Sequence, residues 1–204
     1  MSRSEVEAII DRELPGMLGW CTIEKAYRLS ALARDQNLCV ELGVFGGRSL
    51  VAIALGVRCG RNDFGRVDGI DPFTPGAALE GTNDPENDKW WGQKVDYEVV
   101  ARSAQEALYR LDLVWYARLI RMSSRDVVGF YGDGTIDLLH QDSNHSEEVS
   151  CEEVALWAPK VRSGGLWVFD DTDWPTTKKA QRELEALGFS ELEDHGGWKV
   201  YRKR

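Results

Sequence analysis

Three carboxylates and one histidine carry most of the chemistry this chain can offer. Asp142 and His145 follow the apolar run at residues 136–141, and Asp170 and Asp171 follow Gly165-Leu166-Trp167-Val168-Phe169. Short apolar runs bounded by a turn on one side and acids on the other read as buried strands. Open α/β sheets bind ligands at the carboxyl ends of such strands. Hard divalent cations take oxygen ligands, so Asp142, Asp170 and Asp171 are candidate metal ligands. A neutral imidazole takes up a proton near pH 7, so His145 is a candidate base. The bland alternative is a set of solvated acids at strand ends, with His145 capping the helix at Ser146-Glu147-Glu148.

The elements that must position these residues alternate along the chain. Helices are expected over residues 4–14, 23–34, 48–57, 95–111, 125–130, 147–157 and 174–187. Strands are expected over 38–42, 66–71, 118–122, 136–141 and 165–169, with a loop at 81–88. Two further strands, 189–193 and 198–201, flank His195-Gly196-Gly197, a tight hairpin signal. Repeated strand–helix units imply a parallel sheet covered on both faces. The closing hairpin makes the last pair antiparallel, which a plain dinucleotide-binding fold lacks.

Glu41-Leu42-Gly43-Val44-Phe45-Gly46-Gly47-Arg48-Ser49 joins the first strand to its helix. Glycines there let the backbone approach a ligand, although a tight strand–helix connection would use them too. A pyrophosphate-binding turn wants glycine where Phe45 stands. The acid with the spacing of that motif, Asp63, falls in a loop, and Asp71 at a strand end is the better ribose ligand. The turn therefore suits a ribose-bearing ligand without phosphates. Glu41 could hold its cationic amino group.

The pattern Glu-x-Gly-x-x-x-Gly followed by a strand-end Asp resembles class I S-adenosylmethionine-dependent methyltransferases. The later motifs, 136–146, Leu156-Trp157-Ala158-Pro159, Ser163-Gly164-Gly165 and Asp170-Asp171, resemble a small-molecule family within that class. It includes macrocin-type sugar O-methyltransferases and cephalosporin hydroxylase-like proteins, and the resemblance spans roughly residues 40–171. It implies an α/β, Rossmann-like class I methyltransferase fold. The sheet would have seven strands, mostly parallel, with a C-terminal antiparallel hairpin and helices on both faces.

The resemblance further implies S-adenosyl-L-methionine held by Glu41, Gly43, Phe45, Gly47, Ser49, Asp71 and Ser124. It implies Mg2+ or another divalent cation on Asp142, Asp170 and Asp171, and His145 as base. The expected activity is O-methylation of a small hydroxylated acceptor: a sugar of a natural product or glycan, a phenol or a catechol. Asn144 stands where some members carry a carboxylate proposed as base. Ser124 either contacts adenine or caps the following helix. A metal-independent enzyme of the same fold and a non-catalytic cofactor-binding protein are the rival readings.

Composition narrows the field. The chain has 204 residues, 43% hydrophobic and 29% charged, which suits one domain over residues 1–204. Residues 1–36 would form N-terminal helices. Residues 72–94, with Trp90-Trp91, would form either a lid or a packed surface loop. A net charge of -9 argues against a nucleic-acid partner. Cys21, Cys39, Cys59 and Cys151 have no paired spacing, and no apolar stretch reaches membrane-span length. A cytoplasmic protein without a membrane partner is expected, with a homodimer left open. His140 is expected to be a satisfied core residue and His195 an inert one, while Trp157 and Trp167 serve the core.

Overall fold

The computed structural model describes residues 1–61, 64–81 and 84–204, so Asp63 lies outside the described residues. In chain order the elements are α1 (Arg3–Glu13), α2 (Ile23–Ala33), β1 (Leu38–Leu42), α3 (Arg48–Cys59), β2 (Arg66–Ile70), α4 (Pro75–Ala78), α5 (Pro85–Gln93) and α6 (Tyr97–Arg110). There follow β3 (Ala117–Ile120), α7 (Ser124–Val127), β4 (Ile136–Gln141), α8 (Glu147–Trp157), β5 (Val161–Asp170), α9 (Lys178–Ala186), β6 (Phe189–Asp194) and β7 (Trp198–Lys203). Local chemistry sets the helix starts. Ser2, Thr22, Asp84, Asp96 and Ser146 each accept a hydrogen bond from a backbone N–H of the first turn they precede.

Seven strands form one sheet in the order β3-β2-β1-β4-β5-β7-β6. The first five are parallel neighbours, and β7 runs antiparallel to both β5 and β6. Side chains alternate across the sheet with a period of two. Leu38, Val40 and Leu42 of β1 join the core under α8 and α9, and Cys39 joins the core under α1, α2, α3 and α6. Trp157 and Trp167 are fully buried. The fold class read from the sequence is the one observed.

Three expectations shift. Of the loop expected over 81–88, residues 85–88 belong instead to α5, because Asp84 caps it and Pro85 suits its first turn. β5 begins at Val161, four residues before the apolar run. α7 is capped by Ser123, whose hydroxyl accepts from the Asp126 N–H, so Ser124 is not the cap.

Candidate active site

The glycine turn leaves β1 with a geometry that its residues explain. Gly43 has φ 83°, and a Cβ there would stand 2.0 Å from the Asp142 carbonyl oxygen. Only glycine lets the β1 and β4 tips lie this close. Phe45 takes a left-handed backbone at φ 47°, which costs a non-glycine residue about 1–2 kcal/mol. Asp71 holds the turn in place. Its Oδ2 accepts from the Val44 and Phe45 N–H groups, each at 3.0 Å, and its Oδ1 from the Phe73 N–H at 2.7 Å. A carboxylate has about four acceptor sites, so Asp71 keeps roughly one for a ligand hydroxyl. Burial raises its pKa against these three donors.

Beyond the turn, one cavity of about 610 Å³ is lined by Gly43, Phe45, Ser49, Asp71 and Ser124 at one end. At the other end it is lined by Asp142, His145, Asp170 and Asp171. Nine of the eleven residues singled out in the sequence therefore face one cavity, and its size is ordinary for a small-molecule site. Glu41 and Gly47 lie behind its wall.

The acids meet at the strand tips but divide between two partners. Asp170 ends β5 on the same face as Leu166 and Val168, toward α2. Asp171 is one residue on and has φ 49°, and its Oδ2 lies 2.8 Å from His145 Nε2. Burial lowers the His145 pKa, but the Asp171 hydrogen bond and charge outweigh it, so the imidazole is a stronger base than usual. Burial likewise raises Asp171, and His145 more than offsets it, leaving that carboxyl below its ordinary value. His145 does not cap α8, because Ser146 does.

On the α2 side, Lys25 is 5% exposed and its ammonium bonds Asp170. Asp142 Oδ2 stands 3.6 Å from the same Nζ. Glu41 and His140 are register neighbours on β1 and β4, and both point to this face. Glu41 Oε1 and His140 Nδ1 are 2.9 Å apart, both fully buried. Burial raises Glu41 well above its usual range and lowers His140 well below, so both favour the neutral form. His140 is not the satisfied core residue expected. Its Nε2 has no hydrogen-bond partner among the described residues and lies 3.9 Å from Asp142 Oδ2 and 3.8 Å from Asp170 Oδ2.

These contacts bear on the divalent cation. Among the described residues, ligand atoms converge in two triads, His140–Asp142–Asp170 and Asp142–His145–Asp171. Neither joins Asp142, Asp170 and Asp171 on one point. Lys25 sits against the first triad with a positive charge, and His145 engages the second. A magnesium ion on the three acids does not fit this arrangement, because it would crowd the ammonium at short range.

Supporting groups complete the cavity. Ser124 donates to Glu153 at 2.7 Å, and Ser143 and Gln141 donate to the same buried carboxylate. Asn144 Nδ2 donates to the carbonyls of Ala77, Ala78 and Glu80, and its Oδ1 accepts from the Ser146 N–H. Trp20, Phe45, Trp90 and Trp91 make a cluster of rings at the other rim, with Trp20 stacked on Phe45 at 5.0 Å. The Trp90-Trp91 pair is thus packed in this cluster.

Lys25, Glu153 and Trp20 were missed in the sequence. For Lys25 a signal existed: it lies on the buried stripe of α2 with Leu29, Leu32 and Ala33, a helical spacing at which lysine is out of place.

A family model described as a methyltransferase domain matches residues 40–172. The chain belongs to this methyltransferase family. Its matched segment runs from β1 to just past Asp171, and so includes the glycine turn and the carboxyl-terminal tips of β1 to β5. Among solved structures, the O-methyltransferase NovP is similar at 16% identity and TM-score 0.72, over 91% of this chain and 83% of NovP. The O-methyltransferase TomG from Streptomyces achromogenes, in complex with S-adenosylmethionine, is similar at 15% identity and TM-score 0.60, over 100% and 90%. The O-methyltransferase from Bacillus cereus, in complex with S-adenosylhomocysteine, is similar at 12% identity and TM-score 0.60, over 98% and 90%. At these identities the likeness is one of fold, which is that of S-adenosylmethionine-dependent O-methyltransferases. No curated protein matches the chain in sequence.

Proposed function

We propose that this methyltransferase uses S-adenosylmethionine to methylate a hydroxyl of a small molecule, such as a sugar of a natural product or glycan, a phenol or a catechol. One observation carries the reading: a single cavity joins the glycine turn to the His145–Asp171 pair. When bound, the cofactor supplies an electrophilic methyl group on a sulfonium that leaves as a neutral thioether.

The chain's own residues do the rest. Gly43 and Gly47 open the turn, Ser49 and the backbone of Phe45 line it, and Asp71 offers its remaining acceptor site to a ribose hydroxyl. Glu41 supports the turn from behind, together with His140. Ser124, held by Glu153, presents its edge to the adenine end. Asp171 accepts from His145 Nε2–H, which leaves Nδ1 free to take the acceptor proton. The acceptor oxygen keeps the electron pair of its broken O–H bond and uses it to bond the methyl carbon. Bound cofactor would take the pair of the carbon–sulfur bond onto sulfur.

Metal-independent transfer is favoured over magnesium-assisted transfer on Asp142, Asp170 and Asp171, because Lys25 already bonds Asp170. The test is methyl transfer from radiolabelled cofactor to a panel of hydroxylated acceptors, with EDTA and with added magnesium. Transfer to an oxygen, unchanged by EDTA, is expected. Transfer abolished by EDTA would return the acids to a metal, and labelling of nitrogen or carbon acceptors alone would overturn the hydroxyl assignment.

A further inference from the structure

Lys25 is the buried cation that neither the glycine turn nor the His145–Asp171 pair explains. It lies in the first turn of α2, 145 residues from Asp170 in the chain, yet its ammonium bonds that carboxylate. Thr22 starts α2 by accepting from the Lys25 backbone N–H at 3.2 Å, which fixes where the side chain departs. The ammonium arrives among Asp170, Asp142 and the unpartnered His140 Nε2. That nitrogen is fully buried and has no partner among the described residues, a costly state unless it serves a site. Two carboxylate oxygens and one imidazole nitrogen within 4.8 Å of one another form a mixed N/O ligand set, the donor type that suits manganese, cobalt, iron or zinc.

We infer that Lys25 is the resident cation of the His140–Asp142–Asp170 pocket, occupying it in place of a divalent metal and masking a latent transition-metal site. The ammonium offsets one of the two acid charges and is tethered to the chain, so it stays in the pocket whatever metal is in solution. A divalent ion entering beside Lys25 meets a like charge at close range in a poorly solvated place. Removing the ammonium leaves two acids and an imidazole without a cation, and metal then has ligands and no competitor. Lys25 acts through Asp142 and Asp170, and so is a positioning residue of the cavity.

The inference takes its place in catalysis from the methyl-transfer reading, but its test needs neither cofactor nor acceptor. Failure of one is therefore distinguishable from failure of the other. The experiment is titration of manganese(II) chloride, followed by electron paramagnetic resonance, into wild type, Lys25→Met and Lys25→Arg after EDTA treatment and desalting. Thermal melts of each variant are recorded alongside.

Wild type and Lys25→Arg are expected to bind manganese weakly. Lys25→Met is expected to bind one ion about tenfold or more tightly, and to lose it when Asp170→Asn is added. If Lys25→Met does not fold, Lys25→Gln, which keeps an N–H donor for Asp170, replaces it with the same expectation. One manganese ion bound by wild type as tightly as by Lys25→Met or Lys25→Gln overturns the inference. So does a folded Lys25→Met or Lys25→Gln that gains no manganese.

Discussion

His145 Nε2 and Asp171 Oδ2 are 2.8 Å apart at the mouth of β5, and this contact separates Asp171 from its chain neighbour Asp170. A carboxylate behind an imidazole fixes the tautomer and strengthens the base, as in serine hydrolase triads. His145→Ala should lower kcat by about 10²–10⁴-fold while cofactor affinity stays nearly unchanged. Asp171→Asn should fall between that variant and wild type. Steady-state kinetics with calorimetry checks both, and unchanged kcat in His145→Ala would remove the base assignment.

Asp71 meets three backbone N–H groups, so its loss should be felt in stability and in binding together. Asp71→Ala leaves the Val44, Phe45 and Phe73 donors without acceptors, at a cost of about 3 kcal/mol. Cofactor binding should be lost because the turn relaxes. Denaturant melts and calorimetry read the two effects, and a variant as stable as wild type contradicts the bracing role.

Asn144 occupies the position at which a carboxylate base was weighed, and its environment explains the amide. Three carbonyl oxygens, of Ala77, Ala78 and Glu80, point at its Nδ2. A carboxylate there would face them without a donor. Asn144→Asp should release the α4 segment at a cost of about 2–4 kcal/mol. Faster hydrogen exchange at residues 77–80 is the expected sign, and unchanged protection there would count against the latch.

Arg28 on α2 forks onto Glu193 on β6, tying the N-terminal helices to the hairpin. The Arg28 hydrogen bond lowers the Glu193 pKa from 4.5 to about 2, with burial opposing and His195 assisting. A depressed carboxyl contributes stability above its unfolded value, and that contribution fades as pH falls from about 4.5 to 2. The Arg28 side chain is 38% exposed and that of Glu193 27%, so solvent screening cuts the benefit to about 1 kcal/mol. Glu193→Gln should therefore be less stable near neutral pH, with its stability converging on wild type as pH falls to 2. Parallel curves across that range would contradict the ion pair's role.

The sheet, its order of helices and strands and its closing hairpin were legible because apolar runs, turn glycines and capping residues are local signals. The strand-tip residues were legible for the same reason. The division of Asp170 from Asp171 was also available, since adjacent residues leave a strand on opposite faces, but a metal set drawn from a family resemblance overrode it. The Glu41–His140 pair needed the β1–β4 register, which no local signal encodes. Lys25 needed the packing of α2 on the sheet, although its place on the α2 apolar stripe was a clue. Ser123 rather than Ser124 caps α7, a one-residue displacement that freed Ser124 to bond Glu153.

The most direct test of the account is calorimetric titration of S-adenosylmethionine into EDTA-treated wild-type protein. One site of micromolar affinity, present without metal and lost in Asp71→Ala, is the predicted result. Absence of binding both with EDTA and with magnesium restored would contradict it, and binding that appears only with magnesium would overturn the metal-independent site.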